Sequence, residues 1–402
     1  MVDVERVAAG ERLRIAVLGD FDGWHTRAWL RWFVERGHDT HAISFYPPRV
    51  PLEGVTVHAL RTRSDASAGA VVSTASRVPR GLLRLAHALR YRRAGLKGVL
   101  HEVDPDVFHA HFLVEHGFYG AVAGFRPYVV TAWGSDVLVE PERDLLSRRI
   151  ARWTIGRADA LTSNNAYMAE RMVGLGAPRD RVSVITLGAD RYDLERFDES
   201  VNVRAGDAAP CVISTRAHEP LYNIDVVIDA FARVGHARGG VRFVVAHRGS
   251  LTGELRRRAA EREAQVEFAG YLGRAQFRDA LAGAHVFVSV PSSDGTSVAL
   301  LQAMAAGSFP IASDLPTQRE LIEDGVNGLR VPVRDAAALA AAIERALDDG
   351  ELRRRAATIN RGIVEERGLN EVNMPKLERI YQQLAKGLTP AGGDEARDIL
   401  CA

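Results

Sequence analysis

The chain has 402 residues, a formal net charge of +1, a hydrophobic fraction of 47% and a charged fraction of 26%. This length exceeds what one hydrophobic core usually supports, so we expect two domains of ordinary size. The balanced charge argues against a nucleic-acid-binding protein, and no run of ~18 apolar residues predicts a membrane-spanning helix. The first residues lack an apolar stretch of signal-peptide length, and two cysteines are too few for a disulfide framework, so a cytoplasmic protein is expected.

Short apolar runs of strand length alternate with longer helical patterns, which is typical of parallel sheets with helices on both faces. The first series opens with a strand at residues 14–19, a loop at 20–25 and an aromatic-rich helix from about 26 to 36. Further strands of this series are predicted at residues 40–45, 55–60, 107–110, 128–131, 160–163 and 182–185.

A polar, turn-rich segment at residues 188–210 interrupts the pattern before a second series begins. Its strands are predicted at residues 211–214, 241–246, 266–268, 286–290, 309–312 and 328–331, and its helices at 225–234, 253–263, 274–282, 297–306 and 336–348. We therefore predict an α/β protein with two doubly wound, Rossmann-like domains, residues 1–195 and 196–388, that face each other across a ligand-binding cleft. Residues 389–402 are expected to be disordered.

The segment 288–320 carries the most informative pattern in the chain. A strand ends at Pro291, a loop of small residues follows, and a helix begins near Ser297. Unpaired backbone N–H groups at a helix start favour a phosphate, and Gly295 lets the backbone approach a ligand closely. Asp294 and Gln302 flank this helix start with groups that hydrogen-bond sugar hydroxyls. Gly295 and Ser297 alone are also explained by an ordinary strand-to-helix turn with a capping serine.

This segment resembles the donor site of the retaining glycosyltransferases of family four, which have the GT-B fold. Asp294 matches a glutamate that contacts the donor sugar in that family, and Gln302 matches a second glutamate that contacts the nucleotide ribose. The resemblance extends over nearly the whole chain, in segments 104–111, 131–136, 268–271, 284–288 and 325–328. It implies that the donor is bound by Arg216, Tyr271, Asp294, Gly295, Thr296, Ser297 and Gln302.

Arg216 lies where the family uses an arginine to hold the donor diphosphate. A guanidinium suits this role because it binds phosphate oxygens in a bidentate way. The family usually supplies a lysine shortly afterwards, but Tyr222 stands at about that position here, and Trp133 replaces a histidine near the reacting sugar. We expect donor binding to survive these changes, which bear on rate and donor choice.

The resemblance also suggests catalytic roles for His111, Asp136 and Asp294. Gly23 and His25 lie in the first β-loop-α turn, which we expect to face the cleft, so the acceptor is expected near Gly23, His25 and Trp133. Asp136 is equally explained as a surface or capping carboxylate. His109 and His111 alternate along a strand, and we expect one to point into the sheet packing and the other to the opposite face. No metal is expected, because no third ligand accompanies the two histidines. No other cofactor is expected beside the nucleoside diphosphate-sugar donor.

Residues 77–97 form a candidate basic amphipathic helix, with Leu82, Leu83, Leu85, Ala86 and Leu89 facing one way. Such a helix is suited to an anionic membrane or a phosphorylated, lipid-linked acceptor. The alternative is an ordinary domain helix whose arginine face is solvated.

Together these features predict a glycosyltransferase that moves a sugar from a nucleoside diphosphate-sugar to a glycan, lipid-linked or natural-product acceptor, with retention of configuration, as in polysaccharide biosynthesis. The expected location is the cytoplasm, with peripheral contact at the inner face of the membrane. Two alternatives stay open: a non-catalytic nucleotide-binding protein of the GT-B fold, and a sugar-nucleotide epimerase or hydrolase on the same fold.

Overall fold

The computed structural model describes residues 11–61, 80–195 and 209–390. The chain divides into two compact units, which we name the N-terminal unit (Met1–Ile185 with Met374–Ala402) and the C-terminal unit (Thr186–Asn373). Most of the segment predicted to be disordered, residues 389–402, lies outside the described residues.

The N-terminal unit contains a parallel sheet of seven strands in the order β3-β2-β1-β4-β5-β6-β7. The strands are β1 (Arg14–Leu18), β2 (Asp39–Ser44), β3 (Thr56–Ala59), β4 (Val107–His111), β5 (Tyr128–Thr131), β6 (Ala160–Ser163) and β7 (Val182–Val184). The helices are α1 (Trp24–Glu35), α2 (Arg80–Arg93), α3 (Leu96–Val103), α4 (His116–Ala123), α5 (Ser135–Leu138), α6 (Glu140–Arg143), α7 (Leu145–Arg157) and α8 (Ala166–Gly174). Central strands such as β5 are buried along their whole length, so their sequences read as continuous apolar runs.

The C-terminal unit contains a parallel sheet of six strands in the order β10-β9-β8-β11-β12-β13. The strands are β8 (Cys211–Ser214), β9 (Arg242–Ala246), β10 (Val266–Gly270), β11 (Val286–Ser289), β12 (Phe309–Ser313) and β13 (Leu329–Val331). The helices are α9 (Arg191–Glu195), α10 (Ile224–Ala237), α11 (Thr252–Glu261), α12 (Arg274–Ala282), α13 (Val298–Ala305), α14 (Pro316–Arg319), α15 (Ala336–Asp348) and α16 (Gly350–Ile363). All the predicted strands are present in the two sheets, with ends shifted by at most two residues.

The last helix, α17 (Asn370–Ala385), differs from the prediction, which placed residues up to 388 in the C-terminal domain. From Met374 onward it belongs to the N-terminal unit. There the buried Tyr381 hydroxyl hydrogen-bonds to His109 on β4, and Glu378 accepts a hydrogen bond from Arg36 at 2.6 Å. An amphipathic pattern shows that a helix has an apolar face, but not which sheet that face covers.

Within the C-terminal unit, the segment just after residue 185 pairs with the residues around the start of α17. The Ala189 N–H donates to the Gly368 carbonyl at 3.0 Å, and the Asn370 N–H donates to the Ala189 carbonyl at 2.9 Å. A Cβ at Gly188 would lie 1.8 Å from the Gly368 carbonyl oxygen, so only glycine fits there.

Both sheets share one topological feature that matters for ligand binding. The order of strands reverses between β1 and β4 in the first sheet and between β8 and β11 in the second. Ligands of open α/β sheets bind outside the carboxyl ends of the strands at such a switch point. The loops that follow these four strands are therefore the places where a site is expected. No helix in the described ranges is long and apolar enough to cross a bilayer.

Candidate functional site

Arg216 lies just after β8, at the switch point of the C-terminal unit, and is held from three directions. Its Nη1 donates to the Ser297 hydroxyl at 2.7 Å, and its Nη2 lies 2.9 Å from Oδ2 of Asp294. The guanidinium carbon lies 4.3 Å from the centre of the Tyr222 ring, which is a cation–π contact. Three residues that the sequence analysis singled out are thus joined to Arg216 by direct contacts.

The loop that follows β11 is fixed by side chains from α14. The Thr317 hydroxyl donates to the Asp294 carbonyl at 2.9 Å, and Nε2 of Gln318 donates to the Gly295 carbonyl at 3.1 Å. Gly295 and Thr296 are both buried. Because hydrogen bonds from Thr317 and Gln318 already hold the Asp294 and Gly295 carbonyls, the loop needs little rearrangement before it binds a ligand.

Ser297 ends this loop and is the N-cap of α13, because its hydroxyl accepts a hydrogen bond from the Leu300 N–H at 3.3 Å. Ser297 thus caps the helix, as expected for an ordinary strand-to-helix turn. The same hydroxyl also accepts a hydrogen bond from Arg216. A guanidinium next to the positive end of a helix dipole suits an anionic ligand such as a diphosphate.

Asp294 is the negative charge in this site. Burial raises the pKa of its carboxyl, and the positive charge of Arg216 counteracts that shift. Because Asp294 pairs with Arg216, a diphosphate that binds Arg216 competes with this ion pair.

Gln302 and Tyr271 lie outside the contacts around Arg216. Gln302, on α13, is buried, and its Nε2 lies 3.4 Å from Oδ2 of Asp193 on α9. Asp193 in turn accepts a hydrogen bond from Nε of Arg278 at 2.6 Å. Tyr271 follows β10, is 62% exposed, and lies edge-on to the ring of His247. Sequence reasoning missed Asp193 and Arg278, since no motif marks either residue.

The N-terminal unit places the predicted acceptor residues together at its own switch point. The rings of His25 and Trp133 are 4.6 Å apart, and Nε1 of Trp133 donates to Nδ1 of His111 at 3.0 Å. Gly23 is the N-cap of α1, and a Cβ on it would lie 3.1 Å from the His25 ring. The four residues therefore form one cluster.

The contact with Trp133 decides which nitrogen of His111 carries the proton. An indole N–H only donates, so Nδ1 of His111 must accept. Burial lowers the pKa of His111 well below its ordinary value, so the ring is neutral and its proton sits on Nε2. That nitrogen has no hydrogen-bond partner in the described part of the chain. Burial also lowers the pKa of His25 to about 4. This arrangement favours His111 as a hydrogen-bond donor over a general base.

Asp136 is buried and binds backbone groups. Its carboxylate accepts hydrogen bonds from the N–H groups of Leu113 at 2.7 Å, Gly134 at 2.8 Å and Trp133 at 3.0 Å. Burial raises the pKa of Asp136, and the three backbone donors oppose that shift. Its contacts tie the loop after β4 to the loop after β5, which favours a positioning role. A catalytic role for Asp136 stays a prediction.

His109 corrects one expectation. Its ring lies 4.8 Å from the ring of His111, and both pack edge-on against Trp29. The expectation that the two histidines point to opposite faces is wrong, because residues two apart on a strand share a face. His109 binds the Thr131 hydroxyl at 2.7 Å. Within the described ranges, no three His, Cys, Asp or Glu side chains are placed to hold a metal ion.

The basic segment 77–97 forms α2 and the start of α3, with residues 77–79 outside the described residues. The solvated-arginine alternative holds for Arg90 and Arg92, which are exposed, but not for Arg84. Arg84 is buried, forms an ion pair with Glu140, and donates to the Ser147 hydroxyl at 2.7 Å. The exposed residues include three of the leucines: Leu82 (50%), Leu85 (38%) and Leu89 (52%).

The sequence matches two family models, described as "Glycosyl transferases group 1" over residues 210–349 and "Glycosyl transferase 4-like domain" over residues 23–188. The chain belongs to this glycosyltransferase family. The family and the GT-B fold predicted from the sequence are therefore confirmed.

Curated relatives align with part of this chain. It is 28% identical over 232 residues to the phosphatidyl-myo-inositol mannosyltransferase of Mycobacterium leprae, covering 54% of this chain and 60% of that protein. It is 26% identical over 258 residues to an amylovoran biosynthesis glycosyltransferase of Erwinia amylovora, covering 60% and 61% respectively. The chain thus spans about 60% of the length of these relatives.

Solved structures show the same fold over almost the whole chain. The sucrose-phosphate synthase of Thermosynechococcus elongatus has a TM-score of 0.72 at 16% identity, covering 93% of this chain and 99% of that one. Anabaena HepE in complex with UDP and glucose has a TM-score of 0.68 at 18% identity, covering 92% and 99%.

Proposed function

We propose that this glycosyltransferase-family protein transfers a sugar from a nucleoside diphosphate-sugar, bound by the C-terminal unit, to an acceptor bound by the N-terminal unit. The observation that carries the proposal is the placement of Arg216 at the β8/β11 switch point, in contact with Asp294 and with the capping Ser297 of α13. The names of the matched relatives, and the UDP in the complexes of Anabaena HepE, are consistent with a nucleotide-sugar donor.

In the proposed reaction, negative charge develops on the departing diphosphate. Arg216 and the N–H groups at the start of α13 would stabilise that charge in place, so we propose that no metal ion is needed. The diphosphate would displace the Asp294 carboxylate from Arg216, and Asp294 would then orient the sugar. Retention of configuration is proposed on the family resemblance. The acceptor hydroxyl would meet His25 and Trp133, which lie beside the buried His111. As its oxygen bonds to the anomeric carbon and the bond to the diphosphate breaks, its proton would pass to the departing diphosphate oxygen.

The test is a thermal-shift screen of the purified protein against UDP, GDP, dTDP, ADP and their sugars, followed by a transfer assay in EDTA. A ligand that binds only the folded state raises the melting temperature, so we expect a selective shift with one nucleotide. We then expect release of that nucleotide to depend on an added acceptor. Release without an acceptor indicates an epimerase or hydrolase, and binding without turnover over a broad acceptor panel indicates a non-catalytic protein. No shift with any nucleotide at millimolar concentration contradicts the proposal.

We also propose that the N-terminal unit contacts an anionic membrane through α2 and α7. The exposed leucines of α2 carry this proposal together with Leu145 and Trp153 of α7, which are exposed as well. Exposed arginines flank these residues, among them Arg90, Arg92, Arg148, Arg149 and Arg152. Apolar side chains among cationic ones are the pattern by which interfacial helices bind anionic lipids, and this placement suits a lipid-linked acceptor.

Replacing Leu82, Leu85 and Leu89 together by serine is expected to reduce binding to vesicles with anionic lipid at least ~100-fold, because each leucine contributes about 1 kcal/mol or more when it enters the interface. Co-sedimentation with vesicles of phosphatidylglycerol and phosphatidylcholine measures this effect. Val50→Ser, at an equally exposed residue outside both helices, is the control and should bind like the wild type. Equal binding to purely zwitterionic vesicles, or no binding by the wild type, contradicts the membrane proposal.

A further inference from the structure

Gln302 stands where the family carries a glutamate, and its amide group faces a buried carboxylate. Its Nε2 lies 3.4 Å from Oδ2 of Asp193. An amide has two nearly isosteric orientations, and a carboxylate attracts the N–H side and repels the carbonyl side. With Nε2 turned to Asp193, the carbonyl Oε1 is turned away from it.

Asp193 is itself held in place. Its Oδ1 accepts a hydrogen bond from Nε of Arg278 at 2.6 Å, and its Oδ2 accepts one from the Asp190 N–H at 3.0 Å. Asp190 binds the same guanidinium, since Nη2 of Arg278 lies 2.8 Å from both of its oxygens. Both oxygens of Asp193 therefore act as acceptors, as in an ionised carboxylate. Burial and the charge of Asp190 raise the pKa of Asp193, and Arg278 opposes this shift.

A glutamate at position 302 does not suit this environment. It would place a second carboxylate about as far from Asp193 as the Gln302 amide is, and two carboxylates that share a buried site do not both stay ionised. A glutamine keeps an acceptor oxygen at position 302 while the negative charge stands at Asp193. The glutamine at position 302, where the family carries a glutamate, is therefore explained by the nearby carboxylate of Asp193.

We propose that Asp193 is a positioning residue that orients the Gln302 amide so that Oε1 accepts a hydrogen bond from a ribose hydroxyl of the donor nucleotide. This inference rests on the proposed function, since the ribose contact of Gln302 comes from the family resemblance. Its distinctive consequence is that Asp193, which would not touch the nucleotide, controls recognition of the ribose hydroxyls.

The experiment measures dissociation constants for the nucleoside diphosphate selected by the thermal-shift screen and for its 2′-deoxy and 3′-deoxy forms. In Asp193→Asn, Arg278 attracts the oxygen of the new amide, so the nitrogen of that amide faces Gln302. The Gln302 carbonyl then turns toward residue 193 to accept from this nitrogen. We expect binding of the ribonucleotide to weaken roughly 3- to 10-fold, the usual effect of one hydrogen bond. The wild-type preference for a ribose hydroxyl should disappear. Asp190→Asn is the matched control, because it removes a carboxylate from the same Arg278 without touching Gln302, and should keep the preference.

A charge exchange sharpens the test. In the double variant Asp193→Asn, Gln302→Glu, the new amide donates to the new carboxylate, whose other oxygen is free to accept from the ribose. We expect the preference for the ribose hydroxyl to return.

Gln302→Glu alone should lower the melting temperature most at alkaline pH and less as the pH falls, because a carboxylate whose pKa is raised by folding destabilises the folded state where it is ionised. Adding Asp193→Asn should relieve that pH dependence without any ligand.

The outcomes separate the two proposals. If the wild type prefers the ribose hydroxyl and Asp193→Asn keeps that preference, the inference is overturned while donor binding stands. If no nucleotide binds the wild type, the proposed function fails, and the inference fails with it. Should Asp193→Asn fold poorly, Gln302→Met removes the acceptor and leaves Asp193 with Arg278. That variant must lose the same preference, and retention of it also overturns the inference.

Discussion

Arg84→Ala is expected to destabilise the N-terminal unit by roughly 3 kcal/mol, the lower end of the range for breaking a buried ion pair. Arg84 and Glu140 are both buried, and removal of the guanidinium takes away the ion pair that Arg84 forms with the Glu140 carboxylate, which also lies 3.4 Å from Arg143. The Ser147 hydroxyl loses a donor as well. Urea denaturation followed by circular dichroism measures this change as a lower midpoint at an unchanged slope.

Two further variants test whether the loss of stability comes from breaking the buried ion pair. Arg171→Ala breaks an exposed pair with Glu142 in the same unit and should cost less than about 1 kcal/mol. The double variant Arg84→Met, Glu140→Leu removes both charges and should regain most of the loss, because apolar residues of similar volume replace a buried pair at little cost. Equal destabilisation by Arg84→Ala and Arg171→Ala would show that the buried pair does not stabilise α2.

Arg216→Ala is expected to weaken binding of the nucleoside diphosphate by roughly 10- to 100-fold, because a charge-assisted hydrogen bond contributes about 1.5–3 kcal/mol. Arg216→Lys should fall between this variant and the wild type, since a lysine keeps the charge but loses the planar fork. Titration calorimetry with the nucleotide selected by the thermal-shift screen measures the dissociation constants of both variants.

Asp294→Asn removes the competing ion pair, so this variant should bind the free diphosphate more tightly and transfer sugar more slowly.

The control for Arg216 is Arg242→Ala. Arg242 begins β9 at the opposite, amino end of the sheet, and its side chain is 61% exposed beside Glu267. This variant should bind the nucleotide like the wild type. If Arg216→Ala and Arg242→Ala bind the nucleotide equally well, the diphosphate does not lie at the β8/β11 switch point.

Much of the C-terminal site follows from the sequence, for a simple geometric reason. The strands of a doubly wound sheet are parallel, so the loops after β8 and β11 meet at one edge, and Arg216 must lie near Asp294 and Ser297. The same argument brings His25 near His111 in the N-terminal unit. The shared face of His109 and His111 was also available from the sequence, because the period of a strand is two residues.

The tertiary structure decided what depends on contacts between distant parts of the chain. Leucine spacing in α2 indicates an apolar face, but the pairing of Arg84 with Glu140 turns the arginine inward and leaves leucines exposed. The period of α17 does not show that Tyr381 packs beside His109. Nor does any motif join Asp193 to Gln302, which are 109 residues apart in the chain. Local sequence determined the strands and the ends at which ligands bind, because strand period and chain direction are local properties. The packing partners of each buried charge were set only by the folded chain, because they come from other elements.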